Sequence, residues 1–135
     1  ELVTYGVILT PKTLPMGERL IQIHTQLADL IREHQPATAA VEKLFFQKNV
    51  STAMTVGQAR GVIMLALAEA RVPIGEYTPN EIKQAVAGYG SADKPQMQQM
   101  VRTLLNLREI PRPDDAADAL AVAICHLHSY KFKSL

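Results

Sequence analysis

Three aspartates, Asp114, Asp115 and Asp118, fall within five positions and run into an apolar stretch of small residues, DDAADALAVAICHLH. At a helix start, carboxylates cap free N–H groups and meet the positive end of the dipole, which accounts well for Asp114. Asp115 and Asp118 stand three apart, so on a helix they share a face and can converge on one cation. Spacing alone leaves capping and metal binding both open. Ala116, Ala117, Ala119 and Ala121 would let this turn lie against a sheet, near the strand end from which Glu42 emerges. Hard Mg²⁺ takes carboxylate oxygens and keeps waters and substrate phosphates as its other ligands, so acids without Cys or clustered His suit it. Phosphodiester hydrolysis is then the natural chemistry. Two ions ~3.5–4 Å apart activate water on one side and stabilise the leaving oxygen on the other, a task for about three or four carboxylates. Glu42, Asp115 and Asp118 are the visible candidates.

Alternating strands and helices must position these acids. Residues 2–9, rich in β-branched and aromatic side chains and stopped at Thr10-Pro11, predict a strand. Leu20, Ile23, Leu27, Leu30 and Ile31 form a helical stripe that ends near His34, because Pro36 disfavours helix in the residue before it. ATAAVE, residues 37–42, predicts a buried strand with Glu42 at its end. Residues 51–71 predict a long helix capped by Ser51, apolar on more than one face and so needing cover on two sides. VPIGEY, residues 72–77, predicts a third strand, and Thr78-Pro79-Asn80-Glu81 a capping box with proline at the first helical position. That helix stops at Gly88, Met97 to Leu105 carry another amphipathic stripe, and REIPRPD leads to the last helix, whose first turn holds the three aspartates. The pattern is α/β with at least part of the sheet parallel, in a single domain spanning residues 1–135.

Fourteen Lys+Arg against thirteen Asp+Glu give a formal charge of +1, so a nucleic-acid partner would be held by a local patch rather than a global basic field. The lone Cys125 excludes an internal disulfide, and no run reaches the ~18 apolar residues of a membrane span. A soluble, cytoplasmic protein is the expectation. Cys125 reads as a core filler, and His126 and His128, two apart on a helix, point to different faces and read as structural. His24 and His34 read as partly exposed helix residues.

AVEKLFFQKN, VGQARGV, NEIKQAVAGYGSADKPQMQQMVRTLL and DDAADALAVAICHLH, in this order across nearly the whole chain, resemble the bacterial Holliday junction resolvases of the RuvC family. The resemblance implies a ribonuclease-H-like fold, a mixed sheet flanked by helices, and a homodimer that nicks a four-way DNA junction in pairs during recombination and repair. It implies Mg²⁺, two ions per site with Mn²⁺ able to substitute, and a branch-migration complex of RuvA and RuvB as partner. The family's acid at the end of its central strand matches Glu42, and its helix pair matches Asp115 and Asp118, leaving Asp114 as a cap. Its two lysines near the scissile phosphate match Lys83 and Lys94, where an ammonium stabilises charge developing on phosphoryl oxygens. The family also carries an aspartate on its first strand, in a Gly-Ile-Asp-Pro-Gly motif that does not occur here. The expectation is that Glu1 aligns with the third strand, with about two strands and the basic tail lacking from this chain.

Phe45 and Phe46 follow the strand end between Lys43 and Lys48. A loop aromatic beside basic residues can stack on an unpaired base, worth ~1–3 kcal/mol. Adjacent extended residues point oppositely, and the resemblance favours Phe45 as the stacking ring and Phe46 as the packed one. Gly57 and Gly61, one turn apart, permit close backbone approach to the domain's own sheet or to a second copy, and the family dimerises through this helix. Arg60 between them could reach DNA or an interface acid. The expected reaction is in-line attack of water on a junction phosphate, leaving a 3′-hydroxyl and a 5′-phosphate. The alternatives are a junction-binding module without catalysis, if the first-strand aspartate is truly absent, and a related nuclease acting on the RNA strand of a hybrid.

Overall fold

The computed structural model describes residues 1–43 and 50–133, with the side chains of 50, 51 and 131–133 left undescribed. Its elements run α1 (Met16–His34), β1 (Ala39–Glu42), α2 (Val50–Glu69), β2 (Ile74–Tyr77), α3 (Pro79–Ala87), α4 (Lys94–Leu104) and α5 (Asp114–Lys133). β1 and β2 pair in a two-stranded sheet. Ala39 donates to the Pro73 carbonyl (2.9 Å) and Lys43 to the Tyr77 carbonyl (2.7 Å), a register that advances in step along both strands and is therefore parallel. Glu42 and Tyr77 consequently stand at the same, carboxyl, end of the sheet.

The strand expected at residues 2–9 does not form. Strand-favouring side chains make a strand only when another backbone completes the ladder, and among the described residues none pairs with this segment. Leu2 packs on the core, whereas Val3 is exposed. The described sheet is accordingly two-stranded and parallel. The described part of α2 runs from Val50, and the capping role expected of the Ser51 side chain lies outside what is described.

The chain divides into two compact units. In the unit formed by Glu1–Val7, Ala40–Lys43 and Gly75–Leu135, α3, α4 and α5 pack on one another around a core built on Tyr77, Ile82, Val86, Val101, Leu120 and Cys125. Both short helices are fixed at their starts. Thr78 Oγ1 accepts from the Glu81 amide and Glu81 returns the bond to the Thr78 amide, as the sequence predicts. Asp93 and Gln96 form a second capping box, each bond 2.9 Å. Gly88 closes α3 at φ 89°, a left-handed conformation that costs glycine little. α5 is held from behind by a buried hydrogen bond between the Tyr77 hydroxyl and His126 Nδ1 (2.7 Å), and Cys125 is a buried filler, as expected.

In the unit formed by Ile8–Ala39 and Leu44–Ile74, α1 packs along α2 and His24 Nε2 meets Glu69 Oε1 at 2.6 Å. α1 ends at His34, with Gln35 in the left-handed region donating its amide to the Ile31 carbonyl. Met54, Gly61 and Leu65 share an exposed face of α2, and a Cβ placed on Gly61 would meet nothing within 4 Å. Gly61 thus makes no close approach to a sheet among the described residues.

Candidate active site

Beyond the carboxyl end of the sheet, a cavity of about 310 Å³ opens between β1, α3, α4 and α5. Its polar lining is Glu42, Lys83, Asp93, Lys94, Gln98 and Asp118, over an apolar floor that includes Ile82, Val101, Ala117, Ala121 and Val122. Each polar group arrives by a separate local device. The last residue of β1 delivers Glu42. The Thr78 cap starts α3 so that Lys83 comes one turn on, and the Asp93 box fixes the first residue of α4, Lys94. Ala116 and Ala117, 1% and 2% exposed, let the start of α5 pack closely enough to bring Asp118 in.

The electrostatics fit a cation site. Burial raises the Glu42 carboxyl from its ordinary value, the charge of Asp118 raises it further, and Lys83 opposes both. Burial also raises Asp118; Lys94 pulls it back, while Asp115 and Asp114 add to the rise. Partly dehydrated carboxylates that repel are stabilised by a divalent cation, and an all-oxygen donor set suits a hard one. Glu42 and Asp118 therefore fit a metal. Among the described residues no group of three His, Cys, Asp or Glu side chains closes on a single point, and Asp115 does not line the cavity.

Lys94 Nζ lies 3.5 Å from Asp114 Oδ2 and 3.9 Å from Asp118 Oδ2. Asp114 is the first residue of α5, and its other oxygen accepts from Gln98 Nε2 at 3.2 Å. Asp118 belongs to the second helical turn rather than the first. The structure thus gathers Glu42, Asp118, Lys83 and Lys94 from the residues singled out in the sequence. Lys43 is exposed just past Glu42, and Arg60 is half-buried on α2. Phe45, Phe46 and Lys48 lie outside the described residues. Sequence reasoning missed Gln98 and Asp93; the latter was findable, since Asp93-Lys94-Pro95-Gln96 repeats the capping-box spacing seen at Thr78.

Acids presented by a strand end and a facing helix, with lysines beside them, are the arrangement of a ribonuclease-H-like nuclease, and solved structures bear out that class. The structure of Thermus thermophilus RuvC matches 92% of this chain and 75% of its own at TM-score 0.84 and 39% identity. T. thermophilus RuvC in complex with Holliday junction substrate matches 95% of this chain and 78% of its own at TM-score 0.90 and 38% identity. The family described as crossover junction endodeoxyribonuclease RuvC matches residues 1–126. Among curated relatives, the crossover junction endodeoxyribonuclease RuvC of Chloroflexus aggregans is 61% identical over 129 residues, 96% of this chain and 79% of the relative. That of Syntrophomonas wolfei is 54% identical over 134 residues, 99% of this chain and 78% of the relative. The chain belongs to the RuvC family. Nucleases of this family depend on a metal ion.

Proposed function

We propose that this chain is a Holliday junction endonuclease that hydrolyses junction phosphodiesters with Mg²⁺ held by Glu42 and Asp118, Asp115 joining them when DNA and metal are bound. The observation that carries the reading is the pairing of two partly dehydrated carboxylates with two lysines in one cavity, in a chain of this family. Bound there, the metal would supply a lowered water pKa and a positive charge at the leaving oxygen. Glu42 and Asp118 orient toward it, Lys83 and Lys94 balance the charge that develops on the phosphoryl oxygens, and the apolar floor limits water at the reacting phosphate. The products are a 3′-hydroxyl and a 5′-phosphate.

The exposed stripe of Met54, Gly61 and Leu65 on α2 supports a homodimer through that helix. Two symmetric sites would then meet two strands of like polarity at a four-way junction. Phe45, between Lys43 and Lys48 in the sequence, stacks on an unpaired base at the crossover, Arg60 contributes to DNA or dimer contacts, and RuvA and RuvB supply branch migration in the cytoplasm. No described helix is long and apolar enough to cross a membrane.

The test is Mg²⁺-dependent cleavage of a synthetic four-way junction by this chain and by a version extended upstream, with linear duplex and an RNA–DNA hybrid as controls. Selective nicking of the junction, lost on chelation and in Asp118→Asn, is the expected result. Junction binding without cleavage by either chain would instead leave a non-catalytic binding module, and preferential cutting of the hybrid a different nuclease.

A further inference from the structure

Lys94 sits between two carboxylates one helical turn apart on α5. Only one of them, Asp118, lines the cavity; Asp114 stands behind the rim, and its second oxygen is engaged by Gln98, one turn beyond Lys94 on the same face of α4. The backbone of Lys94 is itself fixed, because the Asp93–Gln96 box closes around it. All of these side chains are about half exposed (54% for Lys94, 54% for Asp114 and 53% for Asp118), so the ion pairs contribute little to stability. What they fix is location. An ammonium shared with Asp118 competes with any cation that Asp118 is to bind, and must move aside as the cation enters.

The geometry points to Asp114 as a positioning residue for Lys94: it keeps the ammonium at the cavity rim, beside the phosphate, once Asp118 is engaged by a divalent cation. This rests on the metal-dependent reading of the cavity given above. With Asp114 neutral, Asp118 is the only carboxylate of the pair left to hold Lys94. The incoming cation then competes with the lysine directly, and a displaced lysine loses its place at the rim. Gln98 keeps Asp114 turned toward α4 and so belongs to the same device.

The experiment is a double-mutant cycle of Asp114→Asn and Lys94→Gln, read by calorimetric titration with Mg²⁺ in the absence of DNA and by single-turnover junction cleavage at saturating Mg²⁺. Thermal melting checks that each variant is folded, which the exposure of both side chains favours. Asp114→Asn is expected to weaken Mg²⁺ binding about tenfold, the scale on which groups behind a metal ligand act, and to slow cleavage by a similar factor without changing junction affinity. In the Lys94→Gln background the same substitution should change Mg²⁺ affinity by less than about twofold, and Asp114→Glu should restore the parent values. Equal losses in both backgrounds would mean that Asp114 acts only through its bulk charge and would overturn the proposal, as would a parent chain that binds no Mg²⁺. Coupled Mg²⁺ binding without junction cleavage would uphold it while leaving this chain without nuclease activity of its own. Cleavage without coupling would do the reverse.

Discussion

At the scale of single residues, the site works against the stability of the fold that carries it. Glu42 and Asp118 both have carboxyls raised by the folded state, which means folding takes up protons where the unfolded chain would hold fewer. The destabilisation is absent below the unfolded carboxylate range and complete above the raised folded values. Without metal, stability should therefore fall as pH rises through the carboxylate range, and Glu42→Gln or Asp118→Asn should each melt at a higher temperature than the parent at neutral pH. Added Mg²⁺ should raise the melting temperature of the parent and have little effect on either variant. Asp118→Asn should at the same time cost cleavage at least the ~100-fold lost when one electrostatic group is removed from a reacting centre. Protons compete with the cation at these acids, so Mg²⁺ affinity should strengthen as pH rises through the same range, measurable by calorimetry at several pH values. The acids themselves were legible, since their types and spacing single out Glu42, Asp115 and Asp118. Which of them converge was not, because that depends on the tilt of α5 against β1, and spacing along one helix carries no information about tilt.

Individual elements show where pattern suffices and where pairing decides. Thr78 announces α3 in four letters, and the structure closes both bonds of its box. Thr78→Ala should cost about 1 kcal/mol in urea denaturation, the usual loss for a cap. Asp93→Ala should cost a similar amount and also disturb Lys94, so its cleavage rate should drop further than its stability explains. The hold on α5 can be probed separately: Tyr77→Phe removes the bond to His126 and should cost on the order of 1 kcal/mol. Gly75→Ala should cost more, since its Cβ would lie 2.9 Å from both His126 Nδ1 and the Tyr77 hydroxyl. Residues 2–9 mark the limit of such reading. Their composition is that of a strand, but a ladder needs a second backbone, and composition within one segment cannot reveal whether a neighbour exists. His126 is legible as structural on its helix, whereas its partner lies 49 residues away on β2 and is invisible to local pattern.

At the scale of the whole molecule, the outward face of α2 makes association a physical expectation. Leu65 is 53% exposed and Met54 61%, with the open side of Gly61 between them. Leu65→Glu should leave the fold intact and shift the sedimenting species from dimer to monomer, with paired nicking of a junction replaced by slow single nicks. An unchanged dimer would move the interface off this face. The two-sided apolarity of α2 was readable in its sequence as a need for a second cover, while a second copy as that cover came only from the family resemblance, because periodicity along one helix does not say what lies against it.

Glu42 and Asp118 lie more than half the chain apart in sequence, yet Asp118 is near enough for its charge to weigh on Glu42. During synthesis the ribosome must therefore release α5 before the carboxylate pair can exist at all. A nascent chain stalled upstream of α5 carries Glu42 without the charge of Asp118 weighing on it. The acidic pair is thus assembled only after α5 has been translated.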